Sequence, residues 1–207
     1  APGTGGISES ETFTTGNSGL FHNIILSLAI DHSENLWIGT LSGVNKTDLK
    51  SQKFKIYRKS NTPSSVNLSG NVIASLFKDE KGELWIGTWG QGLNIYDPGS
   101  GRVEHYASQY EGQYALPNDF VHTIFEDSAK NLWIGTRDGL LVFLKENRHF
   151  VRPENFSRNP GLPSFRGLRI FHMIQSRNGD FWIATQDGLF RKKSGKTTIE
   201  RYSADAE

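Results

Sequence analysis

Apolar residues recur along this chain in short runs, and nowhere with the three- and four-residue spacing of a helix face. The first run is 24–30, and similar runs fall at 72–77, 120–125 and 170–174. Each is apolar on both faces except at one register, where Ser27, Ser75 and Thr123 stand. That pattern predicts a strand sandwiched between neighbouring sheets. A polar tract follows, opening at Asp31, Asp79, Asp127 or Ser176 and carrying Gly82 or Gly179 in two copies and Glu34 or Lys130 in the others. Turn residues between apolar strands predict a hairpin. The second strand runs into a tight turn with Gly43, Gly92, Gly139 or Gly188, and a third strand follows over 44–47, 93–96, 140–143 and 189–192. Phe54, Val103, Phe150 or Ile199 then opens a fourth strand, ending in Tyr57, Tyr106 or Tyr202 in three copies.

The units are copies of one another. Trp37, Trp85, Trp133 and Trp182 are spaced by 48, 48 and 49 residues, within Asn35-Leu-Trp-Ile-Gly-Thr40, Glu83-Leu-Trp-Ile-Gly-Thr88, Asn131-Leu-Trp-Ile-Gly-Thr136 and Asp180-Phe-Trp-Ile-Ala-Thr185. Tandem four-stranded units of about 48 residues predict an all-β fold, a β-propeller of four blades. Residues 20–58, 68–106, 116–152 and 166–202 are the expected blades. Residues 1–11 are read as an extension and 12–15 as a lone strand. A four-stranded sheet cannot bury both faces alone, so blades must stack. The four Trp are assigned to that scaffold. Gly39, Gly87 and Gly135 are read as leaving room for a bulky neighbour, with Ala184 the exception.

Composition narrows the chemistry. Twenty-three basic and twenty-two acidic residues give a formal charge of +1 and no global field for nucleic acid or an anionic membrane. No run approaches the ~18 apolar residues of a membrane span, and no signal-peptide pattern stands at Ala1. With no cysteine, disulfides, thiolate zinc sites and thiol catalysis are excluded.

The Trp-Ile-Gly-Thr repeats resemble the two-component regulator propeller family, most closely from Asp79 through Gly92-Leu-Asn-Ile-Tyr-Asp-Pro98. The resemblance covers about residues 12–202. It implies the periplasmic sensor part of a bacterial hybrid histidine kinase, tied to polysaccharide use. Because the fourth blade already has its own fourth strand, the lone strand at 12–15 would be one too many for a closed four-bladed ring. The chain is therefore expected to be the N-terminal part of a larger propeller, with a closed four-bladed ring as the alternative. Open ends would expose apolar faces, and a homodimer is the expected result.

Copies that differ at equivalent positions are the candidates for function. In blade two the turn Trp89-Gly-Gln-Gly92 is one residue longer than its counterparts, and an exposed Trp there suits stacking on a sugar. Gln91, Arg137, Asp138 and Gln186 occupy the same turns, on a face shared with the inter-blade loops 61–69, 109–119 and 153–168. On the innermost strands His122, His172 and Arg169 replace apolar or small residues of the other copies and are candidates to line the central channel. A small-molecule or oligosaccharide ligand is expected. No metal spacing, phosphate loop or nucleophile elbow is present, so no cofactor and no catalytic residue is assigned. A propeller lyase or glycan hydrolase, and a pure protein-interaction platform, are the alternatives.

Overall fold

The computed structural model describes residues 12–31, 33–48, 54–60, 66–157 and 161–203. The expected extension over 1–11 and part of the 61–69 and 153–168 loops lie outside them. Among the described residues sixteen strands form four antiparallel sheets, each a meander in chain order. The first blade is β1 Ile25–Ile30, β2 Asn35–Thr40, β3 Gly43–Asp48 and β4 Phe54–Tyr57. The second is β5 Ile73–Lys78, β6 Leu84–Thr88, β7 Leu93–Tyr96 and β8 Val103–Tyr106. The third is β9 Val121–Glu126, β10 Leu132–Thr136, β11 Gly139–Leu144 and β12 His149–Val151. The fourth is β13 Ile170–Gln175, β14 Phe181–Thr185, β15 Gly188–Lys192 and β16 Ile199–Tyr202. Two single-turn 3₁₀ segments, Gly112–Tyr114 and Pro153–Asn155, sit in inter-blade loops.

The core lies between blades. The Trp of each of the first three blades points at the following blade: Trp37 meets Tyr96 edge-on at 6.5 Å, Trp85 meets Phe143 at 4.9 Å, and Trp133 meets Phe181 at 4.9 Å. The aromatic that receives the Trp changes strand. Tyr96 and Phe143 pair across the sheet with Leu84 and Leu132, whereas in blade four Phe181 pairs with Lys192. The same inter-blade gap is filled either way.

The glycines are fixed by the same stacking. A Cβ on Gly87 would lie 2.2 Å from Ser75 Oγ and 2.8 Å from Val121 Cγ1 of the next blade. On Gly135 it would lie 2.7 Å from Ile170 Cγ2, again of the next blade. Ala184 stands in the blade that no further blade covers.

The inner strands pack in sequence, β1 on β5, β5 on β9 and β9 on β13, and no comparable contact returns from β13 to β1. Four blades therefore make an open arc, and the closed four-bladed ring is not formed. One end bares β1, where Ile25 is 39% and Leu28 60% exposed, although their counterparts Ile73 and Met173 are buried. The other end bares blade four, where Trp182 is half-buried and Leu189 is exposed.

The lone strand expected at 12–15 does not form. Thr14 N–H donates to Asn17 Oδ1 at 2.7 Å, and Ser18 N–H returns to Thr14 O at 3.0 Å. Local side-chain bonds close a turn there, and no sheet edge pairs with it among the described residues.

Candidate functional site

In blades two, three and four the residue after the Thr of the second strand meets the residue leading into the inner strand. Trp89 N–H donates to Val72 O at 2.9 Å, Arg137 N–H to Phe120 O at 3.0 Å, and Gln186 N–H to Arg169 O at 3.0 Å. These positions form one rim of the arc, where the inner strands begin. In blade two the longer turn carries Gly90 and Gly92 at φ +94° and +76°, the left-handed region that glycine adopts at no steric cost. Both glycine N–H groups donate to Asp119 O, at 3.2 and 2.9 Å, which ties the turn to the approach of blade three.

That tie sets Trp89 across the blade boundary. Its indole meets Phe120 edge-on at 5.8 Å and His122 at 5.2 Å, yet 54% of the residue stays exposed. The Arg137 guanidinium lies over the Phe120 ring at 5.3 Å, and that of Arg169 over Phe171 at 5.9 Å. His122 and Phe171 are 6.5 Å apart. Three blades thus contribute one group: Trp89, Phe120, His122, Arg137, Arg169 and Phe171.

Its electrostatics are one-sided. Burial holds the His122 imidazole below its ordinary pKa, and the positive charges of Arg169 and Arg137 push it further the same way. Nε2 of His122 and Nε of Arg169 are buried without a hydrogen-bond partner. Among the described residues no carboxylate forms an ion pair with Arg137 or Arg169. The group combines apolar ring surface with cationic donors, a surface suited to binding.

The other candidates separate from it. Asp138 Oδ1 accepts Gly167 N–H at 2.9 Å and Gln186 Nε2 donates to Gly167 O at 3.2 Å, so both pin the loop into blade four. Gln91 is exposed, and its carbonyl contacts His105 Nε2 at 3.0 Å. His172 pairs across the sheet with Ala184, at the register where Ser75 of blade two faces the next blade. It belongs to the open end of blade four rather than to the rim group. No cluster of three or more potential metal ligands occurs among the described residues.

Two members escaped the sequence. Phe120 and Phe171 sit in apolar runs and read as core; only their adjacency to the His122 and Arg169 substitutions could have marked them. A concavity of about 540 Å³ against β8, away from the rim group and lined by residues including His105, Tyr110, Glu111 and Tyr114, was visible only as a loop.

The two component regulator propeller family model matches residues 19–42, 67–90 and 115–138, each segment closing on the rim turn after its Trp strand. The first three blades each carry a two component regulator propeller repeat. The matched segments leave out the fourth blade, where Ser176 and Ala184 depart from the repeat. Among solved structures these propeller repeats superpose on the extracellular domain of BT3049, assigned as a hybrid two component system of B. thetaiotaomicron. The TM-score is 0.76 at 24% identity, over 94% of this chain and 26% of that one. The extracellular domain of BT4673 from the same organism gives 0.69 at 22% identity, over 88% and 22%. Virginiamycin B lyase of Staphylococcus aureus gives 0.59 at 14% identity, over 88% and 56%. At these identities the likeness is one of fold. The chain spans about a quarter of the BT3049 domain. No curated protein sequence matches it. Among the described residues no helix is long and apolar enough to cross a membrane.

Proposed function

We propose that this chain is a ligand-binding propeller segment of a bacterial two-component receptor, acting in the periplasm without catalysis of its own, and that its ligand is derived from a polysaccharide. The observation that carries the reading is Trp89. It is a large, exposed aromatic held by backbone bonds at a blade-face turn, with polar donors beside it. Such a surface suits the apolar face of a sugar ring and its hydroxyls. The family repeat and the extracellular domains of similar fold support the receptor side of the reading. A propeller lyase or glycan hydrolase would require an acid/base pair converging on the ligand. His122 and His172, its candidates, lie apart, one against Trp89 and the other opposite Ala184.

The test is a glycan array followed by calorimetry on the hits. Trp89→Ala should weaken binding by roughly tenfold or more, with an unchanged far-ultraviolet circular dichroism spectrum and melting temperature. Full affinity in that variant would move the site elsewhere on the propeller. An array without hits would leave the protein-interaction reading, which the bared blade ends favour.

A further inference from the structure

The charge of the rim group is one-sided. Arg137 and Arg169 come from two different blades, and both act on His122 from close by. The carboxylates nearest in sequence are already engaged. Asp138 accepts Gly167 N–H, and Asp119 binds Ser108 through both oxygens at 2.6 and 2.8 Å. By contrast Arg148, Arg191 and Arg201 all sit in ion pairs. The Arg137 and Arg169 guanidinium groups lie 5.3 and 5.9 Å from the Phe120 and Phe171 ring centroids, so each has an aromatic face beside it rather than a carboxylate. Buried polar atoms without a partner are rare in native proteins, and two of them, Arg169 Nε and His122 Nε2, occur in this one group. Two guanidinium groups that both act on His122 lack a carboxylate partner among the described residues.

We propose that the rim of blades two to four binds an acidic saccharide, one bearing a carboxylate or sulfate, with the sugar ring on Trp89 and the anionic group on Arg137 and Arg169. This rests on the oligosaccharide reading above and narrows it. Guanidinium groups suit both anions because their planar forks match two oxygens at once.

The experiment uses calorimetry with two matched panels. The acidic probes are oligogalacturonides and sulfated chondroitin disaccharides; the neutral probes are galacto-oligosaccharides and unsulfated, esterified counterparts. The acidic panel should bind and its neutral match should not, with affinity falling as sodium chloride rises. Arg169→Gln and Arg137→Gln should each reduce acidic-probe affinity about tenfold or more. Arg137 is exposed, so its substitution reads binding even if Arg169→Gln disturbs packing. Equal, salt-insensitive binding of the neutral panel, lost in Trp89→Ala, would overturn the acidic assignment and leave the saccharide reading standing. Binding of inorganic sulfate with no saccharide of either panel bound would overturn both. Acidic binding unchanged in both arginine variants would overturn the placement of the anion.

Discussion

A buried indole N–H needs an acceptor, and the aspartates six residues upstream provide it. Asp31, Asp79 and Asp127 accept the Trp37, Trp85 and Trp133 N–H groups at 3.0, 3.2 and 2.9 Å. These aspartates read in sequence as turn residues, which they are, since Asp79 and Asp127 also accept backbone N–H groups of the hairpin. The bond to Trp could not be read, because six positions close into contact only once the hairpin register is set. In blade four Ser176 replaces the aspartate, and Arg191, paired with Asp180, lies over Trp182 instead. Trp89 was legible because it departs from its own copies, whereas Phe120 was invisible because an apolar residue at an apolar register carries no signal. Asp31 gives a pH test. Burial alone would raise its pKa, but hydrogen bonds from Trp37 and from the backbone and side chain of Asn35 outweigh that and hold it well below the carboxylate range. Lys78 of the next blade lies 3.3 Å away. A lowered folded pKa stabilises the fold fully above the unfolded value of about 4, and the benefit is lost as pH falls below it. Asp31→Ala should therefore cost about 1–3 kcal/mol near neutrality, by leaving the indole N–H and Lys78 without their acceptor. Urea melts of both proteins at neutral pH and at about pH 2.5 should show the gap shrinking in acid. A gap that stays constant would refute the role given to this carboxylate.

Hairpins and blades follow from turn chemistry that the copies solve differently. The turn between the first two strands needs a left-handed residue, supplied by Gly82 and Gly179 at φ +88° and +87°. Glu34 and Lys130 take the same place at +59° and +65°, a conformation that costs a residue with a Cβ about 1 kcal/mol. Strand positions were legible to within a residue or so because period, turn residues and repeats agreed. The segment at 12–15 was not, since Thr-Phe-Thr-Thr has strand propensity but its hydroxyl and the Asn17 amide fold it back on itself. Glu34→Gly should stabilise the protein by up to about 1 kcal/mol, partly offset by the freer unfolded chain. Glu34 is exposed, so little else changes. Thermal unfolding of the variant checks it, and a lowered melting temperature would show that Glu34 makes a compensating contact.

At the scale of the whole arc, the two bared ends are the two halves of one repeated interface. Inside the arc, each Trp and the residue opening the third strand cover the next blade. Val44, Leu93 and Leu140 in that place are 0% exposed, whereas Leu189 is 37% exposed. Receiving them are residues of the inner strand such as Ile73, Val121 and Ile170, all at 0%, whose counterpart in blade one is Ile25. The end with Trp182 and Leu189 is thus built to meet a surface like that of Ile25 and Leu28, and neither end is built to meet itself. The expected association is head to tail, blade four of one copy on blade one of another, and two arcs doing so reciprocally would close an eight-bladed ring. Light scattering across a dilution series should show a dimer dissociating at low concentration. Leu28→Glu and Leu189→Glu should each abolish dimers when alone, and the two variants mixed should recover a one-to-one pair through their remaining intact ends. Pairing of like ends predicts otherwise, because each single variant would still dimerise through its unaltered end. A compact monomer at every concentration would sink both arrangements, and would mean that burying two such faces does not repay the loss of translational freedom.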